Sequence, residues 1–466
     1  MNDNREGGTV FTPRDLVIAG RRQLTLAERS LTVDARRDIR NMGASLKLLV
    51  LVILTSVAMG VAAWAFLTSL DLVTSYRTAH RWVFALLPVV GVATAWIYRN
   101  HGLAAKRGNN LVIDSALSTR LIHARMAVLT FVCSVATHLV GGSAGREGAA
   151  VQMGGTIASN ISSIARLGER DHHDLMLSGI AAAFGGVFGA PLAGAFFGME
   201  MCFVGKIDYT AGIYCLVASF IGNAVTERLG YVHEANALSG VPSLTWKTIA
   251  LTMLTALACG IAARIFTLLI STVKRVYARF FGNYLVSALV SALVVLAVYA
   301  VFGLWDYAGL STWLVSAGFA GKAGIGDAIA KLVVTALTLG AGFQGGEVTP
   351  LFGIGAALGG GIGCLVGADP GFTAALGMLG VFCAGLNVPI TTIMMSIDMF
   401  HGHGAPFFVI VAFVSYLVAG HHGVYPAQRI VTPKRRSLLA DQGSTVADAI
   451  ERHHEEIARA SKRKTR

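Results

Sequence analysis

Residues 141–155 read GGSAGREGAAVQMGG, and about 200 positions later residues 342–356 read GFQGGEVTPLFGIGA. Each stretch sets a glutamate, Glu147 or Glu347, among glycines at the head of an apolar run. Each is followed by a second glycine-rich apolar stretch built on one proline, FGAPLAGAFFGMEM around Pro191 and LNVPITTIMMSIDMF around Pro389. Superposing the prolines also superposes Glu200 on Asp398. The chain therefore reads as two related halves. Membrane proteins of that kind hold their substrate where the halves meet, on interrupted helices, which points to an ion transporter.

Working outward, 54% of the 466 residues are hydrophobic and only 14% are charged, too little charge to cover a soluble surface of this size. Apolar runs at Leu46–Leu70, Trp82–Tyr98, Ala124–Val140, Thr248–Ile270 and Leu285–Leu304 approach the roughly 20 residues that cross a bilayer. Leu175–Phe188 and Leu376–Gly385 are too short for a comfortable span. Short, Gly- or Pro-interrupted segments predict helices that stop partway, which is tolerated only where protein or a water-filled cavity surrounds the break. The predicted fold is all-α and integral to the lipid bilayer. A cytoplasmic extension covers 1–43, a transmembrane domain 44–430 with halves at about 44–235 and 243–430, and a cytoplasmic tail 431–466.

The net charge of +12 gathers at the ends and in the loops Arg99–Arg107 and Lys274–Arg279. The excess of Lys and Arg beside apolar runs predicts both termini on the cytoplasmic side of the cell's inner membrane. No nucleic-acid motif accompanies these residues, so nucleic acid is not an expected partner. The N-terminus is polar for about 45 residues before the first apolar run and carries no signal peptide. Cys133, Cys202, Cys215, Cys259, Cys364 and Cys383 lie in apolar surroundings without CxxC spacing and read as buried small residues. In the tail, Val446, Ile450 and Ile457 recur at helical spacing behind Ser444 or Thr445 as N-cap, predicting a short amphipathic helix.

Ionisable groups inside a membrane need a reason to be there. Glu147, in Gly-Arg-Glu-Gly, falls in the first turn of a predicted helix, where free N–H groups and the positive dipole end favour a carboxylate. A mobile carboxylate at that place competes with a small anion for the same donors and can carry a proton. The competing reading is a fixed Arg146–Glu147 ion pair joining two helices. Glu347 occupies the matching place, and its alternative is a carboxylate fixed as the cap of its own helix. Asn109, at the head of NNLVIDSAL, is either an ordinary cap or an amide donor to an anion. His172 and His173, in RLGERDHHD, read as a polar, solvent-facing loop. His401 and His403 lack a carboxylate or Cys at ligand spacing, so neither a metal nor a cofactor is expected. No HExxH, GKS/T loop or Ser/His/Asp arrangement appears, and the chain does not read as an enzyme.

GREGAAVQMGG, AAFGGVFGAPLAG, GGEVTP and GNNLVIDSAL together, in this order once GNNLVIDSAL is placed first, resemble the CLC family of anion channels and proton-coupled anion antiporters. The likeness spans nearly the whole membrane domain. It implies an inverted-repeat fold of broken, tilted helices, a homodimer with one pore per subunit, and anions bound by helix N-termini. Glu147 lies where that family keeps its gating, proton-carrying glutamate. By the same resemblance the candidate anion-binding set is Asn109, Gly145, Arg146, Gly148, Gly346, Val348, Thr349 and Tyr425, with Glu347 assisting in proton or anion handling. Four features depart from the usual chloride pattern: Asn109 replaces the motif serine, Ala149 a proline, and Val348 a phenylalanine preceded by Glu347. The fourth is Met201, which stands where many proton-coupled chloride exchangers carry a second glutamate. These departures resemble the fluoride-exporting branch, and imply exchange of fluoride for protons. Fluoride enters cells as its neutral weak acid and is trapped as the anion. Being small and strongly hydrated, it needs compact, strong donors in place of its water. A chloride/proton exchanger or chloride channel of the same fold is the nearest alternative. A carrier using Glu147 and Glu347 to ligate sodium is a more distant one.

Overall fold

The computed structural model describes residues 13–101, 108–233, 238, 240–453 and 455, with side chains from residue 42 onward. Two compact units divide the chain, Met1–Leu51 and Val52–Arg466. The described part of the first, residues 13–51, is helical. Ile457 of the expected tail helix and part of the basic loop after Arg99 lie outside the described residues.

The second unit opens within α1 (Pro13–Ala79) and continues through α2 (Leu87–His101), α3 (Asn109–Ala116), α4 (Arg125–Leu139), α5 (Glu147–Ile164), α6 (Glu169–Phe188), α7 (Pro191–Glu200) and α8 (Gly212–Arg228). The long α9 (Trp246–Phe280) leads into α10 (Tyr284–Phe302), α11 (Trp313–Phe319), α12 (Ile325–Gly340), α13 (Val348–Val366), α14 (Pro370–Leu386), α15 (Pro389–Phe400) and α16 (Ala405–Ala419). Six helical segments among the described residues are long and apolar enough to cross a membrane, and four further apolar helices of 10–17 residues are not. On α9, Ala256, Cys259, Gly260 and Ala263 are buried, whereas Leu257, Ile261 and Ile265 are exposed at a spacing of four. A continuous outward stripe of large apolar side chains is what a lipid-facing helix presents, and in water it would drive association. This is an all-α membrane fold.

The two halves are related by inversion, and the reason is written in their caps. α6 ends on Gly189 in the left-handed region (φ 68°), and α7 starts with Pro191 at its first position. α14 ends on Asn387 in the same conformation (φ 64°), and α15 starts with Pro389. Both junctions use a left-handed cap and then a residue whose missing N–H is no loss at a helix start. At the far end of α7, Glu200 accepts from Ile390 N (3.2 Å), Thr391 N (2.8 Å) and Thr391 Oγ1 (2.8 Å), at the start of α15. Asp398, near the far end of α15, accepts in turn from Ala193 N (2.7 Å) at the start of α7. Each helix thus ends where the other begins, so equivalent elements run in opposite directions. The glycine packing repeats as well. A Cβ on Gly154 or Gly179 would fall 2.3 and 2.6 Å from the other's carbonyl oxygen, where α5 crosses α6. One on Gly355 or Gly377 would fall 2.3 and 2.1 Å away, where α13 crosses α14. Backbones this close admit no side chain, which is how small residues serve helix packing in lipid.

Removing the Glu200 carboxylate strands three donors in the first turn of α15, two of them buried. With about 1–3 kcal/mol for each unsatisfied buried group, Glu200→Ala is expected to lower the apparent thermal midpoint in detergent by several degrees. An unchanged midpoint would contradict this capping role.

The tail docks where it can touch the site. Parallel strands β1 (Phe203–Val204) and β2 (Arg429–Ile430) pair, and residues 443–447 hydrogen-bond to Ile430, Gln428 and Pro426. Helix α17 follows at residues 446–453, with Thr445 and Asp448 exchanging side-chain-to-amide bonds at its start. Those bonds from the Thr445 hydroxyl and amide hold the Asp448 carboxyl below its ordinary value. Val446 and Ala449 are buried against Val204, Cys383 and Ile430.

Three expectations are corrected. Lys274–Arg279 is not a loop, because α9 runs on without a break to Phe280. His172 and His173 do not lie in a solvent-facing loop: Gly168 caps α6, Glu169 and Asp171 favour its first turn, and the helix carries both rings inward. His172 is buried, bonding Ser162 Oγ (2.8 Å) and the Ser115 carbonyl (3.1 Å), and His173 meets Ala116 and Asp208. Cys364 is exposed, because it sits in the last turn of α13 beyond the packed interface, while the other five cysteines are buried.

Candidate functional site

The loop before α5 and the loop before α13 meet as a two-residue antiparallel bridge. Gly145 N donates to Gly346 O and Gly346 N to Gly145 O, both at 2.6 Å. Glycine is required here by proximity: a Cβ on Gly346 would stand 2.4 Å from Gly148 N, and one on Gly145 2.7 Å from Glu147 Oε2. The bridge brings the first turns of both helices to one point.

Glu147 is the first residue of α5 and is 1% exposed. Its carboxylate does not turn to its own helix. Oε2 accepts from Thr349 N (3.0 Å), at the start of α13, and from Arg146 N (3.1 Å), and Oε1 accepts from the Thr349 hydroxyl. Arg146 approaches only through Nε, at 3.6 Å, and that Nε has no hydrogen-bond partner among the described residues, while its Nη1 donates to Tyr231 Oη (3.1 Å). A fixed Arg146–Glu147 ion pair is therefore a poor description of the contact. The carboxylate is held by the other half's helix start, as an anion would be.

Glu347 caps α13 by position yet makes no capping bond, and its Oε2 is buried without a partner among the described residues. Val348 and Thr349, the first two residues of α13, are buried. Asn109 is the first residue of α3, after Gly108 in the left-handed half of φ space (φ 56°). Its Nδ2 donates to the Tyr425 hydroxyl (3.2 Å), and its Oδ1 lacks a partner among the described residues. Tyr425, 316 positions away in sequence, is 1% exposed. The Tyr425 turn is tied down by Ala427 N to Asn110 Oδ1 (2.9 Å) and by the buried Gln428, whose Nε2 donates to Met201 O (2.9 Å) and Leu386 O (2.8 Å). A Cβ on Gly148 would lie 3.1 Å from Asn109 Nδ2 and 3.4 Å from Glu347 Oε2. Every residue of the candidate set thus falls on one locus, with Glu147 and Thr349 on one side of it and Asn109, Glu347 and Tyr425 on the other.

Two cavities flank this locus. One, of about 600 Å³, is lined by Asn109, Glu347, Tyr425, Lys274 and Ile450 of α17. The other, of about 810 Å³, is lined by Arg146, Tyr231, Arg77, Asp71 and Ser311. Glu147 lines neither, while its neighbours on either side of the bridge, Arg146 and Glu347, line one each. Lys274 of α9 faces Glu347 across the first cavity, near enough for their charges to interact. Tyr231 bridges Arg146 to the Asp71 carboxylate in the second. Lys274, Tyr231, Asp71 and Gln428 were not among the expected site residues. Lys274 was visible only as part of the basic run 274–279, read as a loop, which the structure places in the last turns of α9.

The sequence profile described as "Voltage gated chloride channel" matches residues 90–420. A chloride/fluoride channel protein of Pseudomonas syringae pv. tomato is 35% identical over 430 residues, 90% of this chain and 94% of that one. An H(+)/Cl(-) exchange transporter of Yersinia pestis is 29% identical over 304 residues, 59% of this chain and 61% of that one. Among solved structures, a CLC-type fluoride/proton antiporter superposes with a TM-score of 0.80 at 32% identity, covering 83% of this chain and 98% of the other. A slow cyanobacterial Cl-/H+ antiporter superposes at 0.68 with 19% identity, covering 80% and 94%, a likeness of fold.

Proposed function

This chain belongs to the voltage-gated chloride channel family, and from that premise we propose that it is a fluoride/proton antiporter that exports fluoride. The observation that carries this reading is the Glu147 carboxylate, bound by the amide and hydroxyl of Thr349 at the start of a helix from the other half. A carboxylate in an anion's place closes the passage between the two cavities. Protonated, it loses its advantage over an incoming anion and swings toward one cavity, taking the proton with it. An anion then takes the vacated donors. Asn109 Nδ2 and the Tyr425 hydroxyl supply compact donors on the other side, where Gly148 leaves room. Glu347, whose Oε2 has no hydrogen-bond partner among the described residues and which faces the cavity with Lys274, is the second proton or anion-handling group.

Fluoride is the favoured substrate on two grounds. The relative that is 35% identical and the superposed antiporter both have fluoride in their descriptions. The donors assembled here are amide, hydroxyl and carboxamide groups close to one another, suited to replacing the water of a small anion. The same reading sets both termini and the Lys274 cavity on the cytoplasmic side and the Arg146 cavity outside, and pairs two copies, each with its own passage. The mass of the detergent-solubilised protein reads the pairing, and a monomer would exclude it.

The deciding experiment loads reconstituted vesicles with fluoride or chloride and follows anion efflux by selective electrode and internal pH by dye. Fluoride efflux faster than chloride, with protons moving inward, is expected. Chloride faster than fluoride would replace this reading with a chloride/proton exchanger, and sodium-dependent transport would replace it with a cation-coupled carrier.

A further inference from the structure

α12 carries a lysine, Lys331, in the apolar run IGDAIAKLVVTALTLG, and its side chain is fully buried. Nζ lies 3.0 Å from Ser143 Oγ, 3.1 Å from Tyr307 O, 2.8 Å from Gly309 O and 3.0 Å from Ser311 Oγ. Three N–H groups meet four oxygens, none of them anionic, and no carboxylate forms an ion pair with Lys331 among the described residues. A second buried cation lies alongside: a Cβ on Gly309 would be 2.7 Å from Arg77 Nη1, and Arg77 itself donates to His138 O. Burying an ammonium beside a like charge is costly, and leucine or methionine would pack a helix there without that penalty. The position therefore needs a reason beyond packing.

We propose that Lys331 is a positioning residue for the gate, its ammonium standing where a monovalent cation would and clamping the loop that carries Glu147 to the second half. This rests on the antiporter reading above. Ser143 lies four residues before Glu147. Its hydroxyl also meets Thr335 Oγ1 (2.8 Å) and its amide donates to Thr338 Oγ1 (3.2 Å), so 331, 335 and 338 form one gripping face of α12. The next residue, Ala144, offers its carbonyl to His138 Nε2 (3.1 Å), and Gly145 is pinned by the bridge to Gly346. Residues 143, 144 and 145 are each held, which leaves the Glu147 side chain as the moving part. The clamp keeps Thr349 and the gate carboxylate in register each time the gate returns. Ser311, Ala308 and Arg77 line the larger cavity, so the cage lies next to solution.

That adjacency supplies a test that ordinary packing would fail. Lys331→Ala empties a four-oxygen cage whose distances match those of a potassium ion among carbonyl and hydroxyl oxygens. Lys331→Met fills it with an apolar side chain. Both are compared with wild type in vesicles whose only cation is either potassium or the bulky N-methylglucamine, reading protons moved per anion moved. In N-methylglucamine both variants are expected to lose most of the coupling ratio. In potassium Lys331→Ala recovers several-fold and Lys331→Met does not, while wild type is indifferent to the cation. Wild-type ratios in both variants, or a Lys331→Ala defect equal in the two salts, would overturn the proposal. Should either variant fail to fold, Ser143→Ala keeps the lysine with three oxygens and cuts its tie to the loop; a partial loss of coupling is expected, and an unchanged ratio overturns the inference. The wild-type arm alone reads which anion is exchanged for protons, so failure of the antiporter reading shows there, and failure of the Lys331 inference shows only in the variant-to-wild-type ratio.

Discussion

Glu147→Gln is expected to abolish proton uptake driven by a fluoride gradient while leaving a passive, uncoupled fluoride leak. The substitution keeps the shape of the gate. The Gln carbonyl still accepts from Thr349 N, and the Thr349 hydroxyl turns to accept from the amide nitrogen where it now donates to the carboxylate. What disappears is the charge and the proton. A neutral amide competes weakly with fluoride for helix-start donors, so anions pass without waiting for protonation. On the antiporter reading Arg146 does not replace the lost proton site, because its guanidinium is turned to Tyr231. The measurement is internal pH against fluoride efflux in the same vesicles. Undiminished proton uptake by the variant would remove Glu147 from the mechanism and shift the proton to Glu347.

The residues legible in the sequence were those whose identity clashed with their surroundings. Glu147, Glu347 and Asn109 stand out as polar groups among glycines and apolar residues, and the inverted duplication shows because its prolines and carboxylates share a spacing. The pairing of Glu200 and Asp398 was visible only as a superposition; that each caps the other's helix required knowing that the two run antiparallel. Lys331 is just as conspicuous a charge in an apolar run, but its four partners come from two distant loops with no spacing to betray them. Gln428 was hidden differently, since a lone amide just after the last apolar run carries no pattern until helix ends converge on it. The histidines of α6 went astray because a run of charges at a helix start looks like a loop when the cap, Gly168, is itself a turn former. In each miss the deciding partner lay in another segment, where periodicity carries no information.

The second large effect concerns backbone, not charge. Gly346→Ala is expected to slow exchange by roughly two orders of magnitude, the loss that misplacing reacting groups by about 1 Å produces in a positioned site. The added methyl would sit 2.4 Å from Gly148 N, 3.1 Å from Glu147 N and 3.2 Å from Gly148 Cα. These are backbone atoms of a helix start, so no side-chain rotation relieves the contact. The strands joined by the 2.6 Å bonds between Gly145 and Gly346 must separate. That movement draws the Glu147 carboxylate away from Thr349 and widens the distance between the two helix starts on which an anion would sit. Gly353→Ala, inside α13 itself, is the control: the atoms nearest its methyl would belong to the Leu314 side chain, at 3.3 Å, which can shift. Each variant adds one methyl, one in the bridge before α13 and one inside α13, so similar elution as a folded species with a large difference in fluoride efflux isolates the bridge. Equal transport by the two would mean that the halves' contact at Gly145 and Gly346 does not set the gate, and that the donors around Glu147 tolerate displacement that a small, tightly solvated anion should not.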